Sequence, residues 1–362
     1  MKTWQGRLED LGQAPPADLV LVHAPREQFG AAVAQIRKAM PKTPVAGCSG
    51  AGEIAGRTVV DDVVVTAIRL EKGKAVVAAV HLHEGESSQE AGRRIVAALP
   101  QKGLAHVLVY SDGLLINGTQ LVQGMAAALP KHVAVTGGMA GDGDRFQETW
   151  VAADDDVGTG MVAVVGLYGP IRVGYGSLGG WDAFGPRRIV TRSKGNVVYE
   201  LDGQPALDIY KKYLGEHAAG LPATGLLFPL FLPDEGAGVV RTILAVDEGA
   251  NSLTYAGDVP QGAQAQFMKA NFDRLVDGAH GAAMATQASG GGAELALLVS
   301  CVGRRLVLKQ RVEDELDAVQ EVLGPQALMA GFYSYGEICP AAPGADCQLH
   351  NQTMTITTLS ED

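Results

Sequence analysis

Few of the features that mark membrane, nucleic-acid-binding or secreted proteins are present in this sequence. No apolar run approaches the roughly 20 residues of a membrane-spanning helix, and the first residues lack the apolar stretch of a secretory signal. Lys and Arg number 29 against 40 Asp and Glu, and this negative balance opposes binding to phosphate backbones. The four cysteines are too few for a disulfide framework in a chain of this size. We therefore expect a cytoplasmic protein with neither a membrane-spanning segment nor a nucleic-acid partner.

Sequence signatures of catalysis are also missing. The chain has no G-x-S-x-G elbow and no H-E-x-x-H zinc motif. Its glycine-rich segments do not fit the phosphate-binding loop, which ends in Gly-Lys followed by Ser or Thr. No short repeat indicates a solenoid or a propeller. We therefore expect a binding protein, and an enzyme of unknown reaction stays open as an alternative.

The length of 362 residues exceeds what one hydrophobic core usually serves and predicts two domains. Mixed strand and helix patterns predict an α/β (mixed α+β) fold, with mixed, largely antiparallel sheets flanked by helices. A strand-like segment before position 203 gives way to a helix that starts with Pro205, so the boundary is placed there. The predicted organisation is an extension at 1–17 and domains at 18–203 and 204–358.

Local patterns predict individual elements. A short apolar run at 18–23 is typical of a strand, and helical spacing at 29–40 predicts a helix. Alternating segments at 62–68 and 74–83, joined by the turn-forming E-K-G-K, predict a hairpin. The pattern at 264–277 predicts a further helix.

The first candidate site is the glycine-rich turn A-G-C-S-G-A-G-E-I at 46–54. Its small residues permit close backbone approach, and Ser49 lies among N–H groups that can face an anion or a carbonyl. Glu53 offers a carboxylate for an amine, and Cys48 would be a nucleophile if a base lay beside it. A tightly packed turn with a buried cysteine is the alternative.

The second candidate site is the similar turn at 136–143, which contains Gly138 and Asp142. It also follows an apolar strand and carries one acidic side chain inside a small-residue loop. Asp142 would orient a ligand or coordinate a cation. The alternative is an aspartate that caps its own turn.

The third and fourth candidate sites lie near the end of the chain. The segment G-F-Y-S-Y-G-E-I-C-P at 331–340 is followed by C-Q-L-H-N-Q-T-M at 347–354. We predict that the two glycine-rich turns line a cleft closed by residues 333–350. Its ligand-orienting side chains are predicted to be Tyr333, Ser334, Glu337 and Asn351. In the turn S-C-V-G-R-R at 300–305, Arg304 would hold an acidic ligand group if it faces inward. If both arginines are surface residues, the turn is structural.

Two thiols and an imidazole form a candidate metal set. Seven residues separate Cys339 from Cys347, and His350 follows shortly after. A loop folding back would bring the three around one zinc ion, although a fourth ligand is missing. A reversible disulfide between the cysteines is the redox alternative. His350 alone would suit haem iron, or it is a hydrogen-bonded packing residue.

Together these segments resemble the FIST N and FIST C domain pair. The similarity rests on the two glycine-rich turns, L-D-G-Q-P-A-L-D-I-Y-K-K-Y-L-G at 201–215, S-C-V-G-R-R, and the closing G-E-I and L-H-N-Q-T-M motifs. It implies a bacterial sensory protein that binds a small molecule such as an amino acid. It also implies a separate signalling partner, such as a histidine kinase or a cyclic-di-GMP enzyme, because no output domain is recognisable here.

The resemblance implies two cofactor alternatives as well. Some FIST proteins resemble haem-based nitric-oxide sensors, and His350 matches the candidate iron ligand. A cysteine pair implicated in zinc or redox sensing is matched by Cys339 and Cys347. The cofactor therefore stays open between none, haem and zinc.

Overall fold

The chain builds three copies of one supersecondary unit, and a separate domain is inserted into the third copy. The computed structural model describes residues 1–233, 238–289 and 292–361. Each copy contains an edge strand, two parallel central strands joined through helix, a short hairpin and a return strand. We call these copies the first, second and third repeat, and together they form the body of the protein.

The first two repeats follow each other directly. The first repeat consists of β1 (Lys2–Gly6), β2 (Leu19–Pro25), α1 (Arg26–Ala39), β3 (Val45–Gly50), β4 (Glu53–Ala55), β5 (Thr58–Val60) and β6 (Val64–Arg69). The second consists of β7 (Lys74–His81), α2 (Ser88–Ala97), β8 (Leu104–Ser111), α3 (Gly118–Ala128), β9 (Ala134–Met139), β10 (Val151–Ala153), β11 (Asp156–Gly158) and β12 (Met161–Tyr168).

The third repeat begins with β13 (Ile171–Leu178) and is interrupted by the inserted domain at 182–269. The inserted domain contains β14 (Asp182–Lys194), β15 (Val197–Leu201), β16 (Gln204–Pro205), α4 (Ala206–Leu214), β17 (Leu230–Leu232), β18 (Val239–Arg241), β19 (Ile243–Asp247), β20 (Ser252–Tyr255) and β21 (Gln264–Lys269). The repeat resumes with α5 (Phe272–Ser289), β22 (Leu295–Cys301), α6 (Val302–Leu308), α7 (Val312–Leu323), β23 (Leu328–Ser334), β24 (Gly336–Pro340), β25 (Cys347–His350) and β26 (Met354–Glu361).

Each repeat forms four strands of one six-stranded sheet. The orders are β1-β6-β2-β3, β7-β12-β8-β9 and β13-β26-β22-β23, with the last two strands of each parallel. A hairpin from another repeat completes each sheet: β10–β11 joins the first, β24–β25 the second and β4–β5 the third. Since every repeat donates its hairpin to a neighbour, the three repeats are tied into a closed ring.

A glycine recurs at one register position in the second central strand of every repeat. The facing pairs are Gly47 with Val22, Gly137 with Val109, and Gly331 with Leu298. A Cβ atom on these glycines would lie 1.9, 2.0 and 1.8 Å from the facing carbonyl oxygens. The backbones approach too closely for any other residue, so this glycine marks equivalent positions in the three repeats.

The inner faces of the three sheets meet in a shared apolar core. Near its centre lie three rings, one from each repeat: His23, Tyr110 and Phe332. The ring centroids of His23 and Phe332 are 4.9 Å apart, and those of His23 and Tyr110 are 5.6 Å apart. Helices cover the outer faces; α1, for example, buries Phe29 and Ile36 against the first sheet. Among the described residues, no helix is long and apolar enough to cross a membrane.

The predicted fold class is confirmed, because mixed and largely antiparallel sheets are flanked by helices. Two local predictions are wrong. β6 and β7 do not form a hairpin, since β6 pairs with β1 and β2 in the first sheet whereas β7 pairs with β12 in the second. Residues 264–269 form strand β21 rather than a helix, and a helix starts only at Phe272. In both cases, pairing with distant strands overrides the local pattern.

The predicted segment boundaries fall at different places in the architecture. Residues 1–17 contain β1, which pairs with β6 as an edge strand of the first sheet. The boundary at 203/204 lies inside the inserted domain, between β15 and β16, which pair with each other. The structural division is therefore between the body and the insert.

Candidate functional site

The two glycine-rich turns lie against each other at one end of the body. The Gly141 N–H donates to the Ser49 carbonyl at 2.9 Å, and the Ser49 hydroxyl donates to the Gly141 carbonyl at 2.7 Å. The closing segment joins them, because the Ala51 N–H donates to the Tyr333 carbonyl at 2.8 Å. The structure thus brings together all three segments of the predicted cleft.

A cavity of about 220 Å³ opens where the two turns meet, and we call it the glycine-turn cavity. Its lining residues are Pro25, Glu27, Gly50, Gly52, Asp61, Asp142, Gly143, Asp144 and Arg145. Four of them are acidic, and the one basic residue, Arg145, pairs with Glu27. The cavity therefore has a predominantly negative lining.

Glu53 is the most unusual side chain beside this cavity. It is fully buried, and neither carboxyl oxygen has a hydrogen-bond partner. Oε1 lies directly behind Gly50 in the cavity wall, since a Cβ atom on Gly50 would be 2.6 Å from it. Burial raises the pKa of Glu53 well above its usual range; the nearby Asp61 adds to the rise and Arg305 opposes it. Burial therefore favours the protonated form of this carboxyl group, which has no hydrogen-bond partner within the protein.

Arg305 packs against Gly52, one of the residues that line the cavity. Its guanidinium donates to the Ala51 carbonyl at 2.6 Å and to both carboxylate oxygens of Asp61 at 2.9 and 3.0 Å. Its neighbour Arg304, the predicted ligand-binding residue of this turn, lies elsewhere. Consecutive helical residues point about 100° apart, so only one of the pair turns into the protein interior.

Arg304 is the inward-facing residue, and it is already engaged. Its guanidinium donates to Glu315 at 2.8 and 3.0 Å and to backbone carbonyls, and both side chains are fully buried. Glu315 also accepts hydrogen bonds from the hydroxyls of Tyr333 at 2.6 Å and Ser300 at 3.1 Å. This network fixes α6, α7 and β23 to one another, and it occupies the polar ends of both Arg304 and Tyr333.

Asp142 organises the loop that follows β9. Its carboxylate accepts the N–H groups of Phe146, Gln147 and Glu148 at 2.9 to 3.0 Å. It also contacts the Tyr335 hydroxyl. Asp142 therefore caps its own turn and also lines the glycine-turn cavity, while its role in orienting a ligand or a cation stays a prediction.

The other predicted ligand-orienting groups are buried behind the turns. Glu337 accepts from Ser334 at 2.6 Å and from the N–H and hydroxyl of Thr353 at 3.2 and 3.0 Å. Burial raises its pKa to about 8, although these hydrogen bonds oppose the rise. Asn351 is fully buried with its Nδ2 unpartnered. Gly138 lies opposite Glu337 in the pairing of β9 with β24.

Cys48 is a buried free thiol on β3, in register with His23 on β2. Burial raises the pKa of Cys48 well above its usual range. Burial lowers the pKa of His23 to about 3, and neither ring nitrogen has a partner. A protonated thiol is a weak nucleophile, so this arrangement does not activate Cys48.

The three candidate metal ligands lie on the β24–β25 hairpin. Cys339 is in register with Gln348 rather than with Cys347, and both thiols are free. The His350 Nε2 is hydrogen-bonded to the Cys339 carbonyl at 2.9 Å. In the part of the chain that the structure describes, no three His, Cys, Asp or Glu side chains are grouped to hold a metal ion. Zinc binding by this set therefore stays a prediction.

A haem site at His350 would need rearrangement. The cavity beside His350 has a volume of about 180 Å³, whereas pockets for drug-sized ligands occupy roughly 300–1,000 Å³. The residues as arranged do not fit a haem, so an axial role for His350 also stays a prediction.

The comparison with protein families agrees with the sequence resemblance. Residues 18–204 match the FIST N domain, and residues 206–340 match the FIST C domain. No curated protein matches the chain. Among solved structures, cyanuric acid hydrolase from A. caulinodans is similar at 9% identity and a TM-score of 0.36, covering 99% of this chain and 98% of that chain. FIST domains are sensory domains that bind small ligands in signalling. Since the FIST N and FIST C domains together span most of the chain, this chain belongs to the FIST family.

Proposed function

We propose that this protein is a bacterial cytoplasmic sensor that binds a small amine-bearing ligand, such as an amino acid, in the glycine-turn cavity. The observation that carries the proposal is the buried, unpartnered carboxyl group of Glu53 behind Gly50. Burial of a polar group without a hydrogen bond destabilises the folded state. A ligand ammonium group would supply the missing donors.

The charges around the cavity favour a cation. Acidic side chains predominate in the lining, and Asp61 already disfavours ionisation of Glu53. An ammonium ion would offset the negative charge of the lining and would favour the ionised form of Glu53, because it is attracted to every carboxylate nearby. Arg145 also lines the cavity, and it would pair with the carboxylate of an amino acid by giving up its contact with Glu27. The volume of about 220 Å³ suits a ligand of this size.

Binding is expected to alter the surface around the two turns. The ends of three segments from three repeats meet there, so a ligand that draws Glu53 towards the cavity would shift their packing. We propose that a separate signalling enzyme, such as a histidine kinase or a cyclic-di-GMP enzyme, reads that change. The raised pKa of Cys48 supports binding rather than covalent catalysis as the role of this turn.

Affinity for an amine should rise with pH. The pKa of Glu53 is raised in the free protein, so the group must lose a proton before it pairs with an ammonium ion. Below that pKa, affinity should increase by up to about tenfold per pH unit, with release of one proton. The measurement is calorimetric titration in two buffers of different ionisation enthalpy.

The direct test is calorimetric titration of the wild type, Glu53→Gln and Glu337→Gln with each common amino acid and with methylamine. Glu53→Gln should weaken the binding of the responding amine by at least about tenfold, since an amide cannot ionise. Glu337→Gln is the matched control, because Glu337 is also a fully buried glutamate but already has partners within the protein. This variant should bind within about twofold of wild type. Full affinity in Glu53→Gln, or no response to any amine, would refute the proposal.

A further inference from the structure

A second cavity lies between the body and the inserted domain, and we call it the interdomain cavity. Its volume is about 260 Å³. The lining residues are Gly113, Leu114, Leu115, Ile116, Asn117, Gly118, Met139, Phe146, Asn196, Leu244, Tyr255, Ala256, Gly257, Tyr335 and Leu349. None of these residues carries a charge, in contrast to the acidic lining of the glycine-turn cavity.

Exposed apolar side chains are concentrated at this place. The described residues include seven large apolar side chains that are exposed, and three of them line the interdomain cavity: Leu115 (60%), Phe146 (37%) and Leu244 (37%). Leu115 and Phe146 come from the second repeat, whereas Leu244 comes from the inserted domain. Apolar groups that converge from two domains on one concave site are typical of a ligand pocket.

One wall of the cavity is a pair of stacked rings. The centroids of Phe146 and Tyr335 are 4.4 Å apart, with an interplanar angle of 16°. Asp142 fixes both residues, because its carboxylate accepts the Phe146 N–H and contacts the Tyr335 hydroxyl. Phe146 also has a φ of 53°, a region that few residues other than glycine adopt. A flat aromatic surface is therefore held in place before any ligand arrives.

Most polar side chains in the lining have partners within the protein, although the buried hydroxyl of Tyr255 has none. Asn117 caps α3 by accepting the Gln120 N–H, and it donates to Asp258 across the domain interface at 3.0 Å. Asn196 donates to the Tyr255 carbonyl at 2.8 Å. A ligand here would be recognised by shape and ring stacking, since no charge and few free polar groups face it.

We propose that the interdomain cavity is a second ligand site, which binds a small, planar, uncharged aromatic molecule against Phe146 and Tyr335. The molecule would contact the body and the inserted domain at once. It would therefore stabilise one orientation of the inserted domain, which is hydrogen-bonded to the body here by pairs such as Asn117 with Asp258 and Arg241 with the Leu349 carbonyl. Asp142 reaches both cavities, since it lines one and holds the aromatic wall of the other.

The test uses 5-fluoroindole as the probe and fluorine NMR titration of the full chain. Wild type should show saturable binding. Ala256→Phe places a ring in the cavity and should weaken binding by at least about tenfold, whereas Ala245→Phe, an exposed position on the neighbouring strand outside the lining, should stay within about twofold. Thermal unfolding of each variant establishes that it is folded.

A second pair of variants avoids any disturbance of packing. Leu115→Asp places a charge at an exposed rim position and should weaken probe binding at least about fivefold. Leu178→Asp makes the same change at an exposed leucine outside the lining and should have no effect. Equal binding in Leu115→Asp and Leu178→Asp, or no saturable binding to wild type, would overturn the proposal; the latter result would be expected if the patch docks a protein instead.

Discussion

The first and third repeats carry the same turn sequence but use its carboxyl group differently. The turns at 46–54 and 330–338 share the pattern A-G-x-x-x-x-G-E-I. In each turn, the glutamate pairs across the sheet with a residue of a neighbouring repeat. That residue directly follows the glycine that recurs in every repeat. Glu337 accepts three hydrogen bonds, whereas Glu53 accepts none, although both are fully buried. Equivalent positions therefore differ in whether the protein itself satisfies the carboxyl group.

Two substitutions between the repeats explain the difference. Ser334, which donates to Glu337, corresponds to Gly50 in the first repeat, three residues before its glutamate. Thr353, the other donor, corresponds to Asp62. Each of them lies two residues ahead of a residue in the return strand of its repeat, and those two return-strand residues hold equivalent register positions in their sheets. One hydroxyl is thus absent and the other is replaced by a carboxylate. The comparison teaches that the first repeat lacks internal donors at the position where a cavity opens.

The second repeat lacks the acid altogether. Its hairpin strand places Val151 opposite Cys48, the position that Glu53 and Glu337 occupy in the other two sheets. The residues that precede Val151 form the longer loop that Asp142 organises. Of the three equivalent residues, Glu337 is hydrogen-bonded, Val151 is apolar and Glu53 is polar without a hydrogen-bond partner.

The largest expected effect concerns the hydrogen-bond network of Arg304 and Glu315, which anchors the turn at 330–338. Among the described residues, the turn at 46–54 has no such network. Glu315→Ala should lower the free energy of unfolding by about 3–5 kcal/mol, because it leaves the Arg304 charge buried without its partner. Chemical denaturation measures the change. Glu321→Ala, an exposed position on the same helix, should change stability by less than about 0.5 kcal/mol. A loss below about 1 kcal/mol in Glu315→Ala would mean that the network does not anchor the turn.

A direct comparison of the two glutamates should give the next largest effect. Glu337→Met should cost about 1–3 kcal/mol, since the Ser334 hydroxyl and both donors of Thr353 lose their acceptor. Glu53→Met should cost nothing or stabilise the protein, because it removes a buried polar group without a partner. Thermal and chemical unfolding of both variants measures the difference. Equal losses would show that Glu53 has internal partners after all.

The smallest expected effect comes from making the turn at 46–54 resemble the turn at 330–338. Gly50→Ser should place a hydroxyl beside Glu53, as Ser334 does beside Glu337, after a small shift of the carboxyl group that now lies 2.6 Å from the new Cβ position. Gly50→Ala makes the same shift without a donor. Gly50→Ser should therefore be more stable than Gly50→Ala by about 1 kcal/mol, measured by chemical denaturation, and neither should bind the amine. If the two variants are equally stable, Gly50 is not the position of the missing donor.

Much of the site was visible in the sequence as separate pieces. The glycine-rich turns with one acidic residue each indicate Glu53 and Asp142 from sequence alone, because small residues and a lone carboxylate are local features. The structure places both beside the glycine-turn cavity. The threefold repeat is not apparent from the sequence, although A-G-x-x-x-x-G-E-I occurs twice, because an inserted domain and a long second turn obscure its period. The interdomain cavity could not be predicted, since Leu115 and Leu244 come from different parts of the chain and have no local pattern in common.

The sequence by itself determined the fold class, the glycines that allow close strand packing and the family, because these depend on local composition, periodicity and motif order. The tertiary structure alone decided which arginine of 304 and 305 is buried, and which glutamate of 53 and 337 lacks a partner. Those outcomes depend on donors that other repeats bring from distant positions, such as Thr353 to Glu337 and Glu315 to Arg304. Identical short motifs can therefore acquire opposite electrostatic surroundings once the repeats close into a ring.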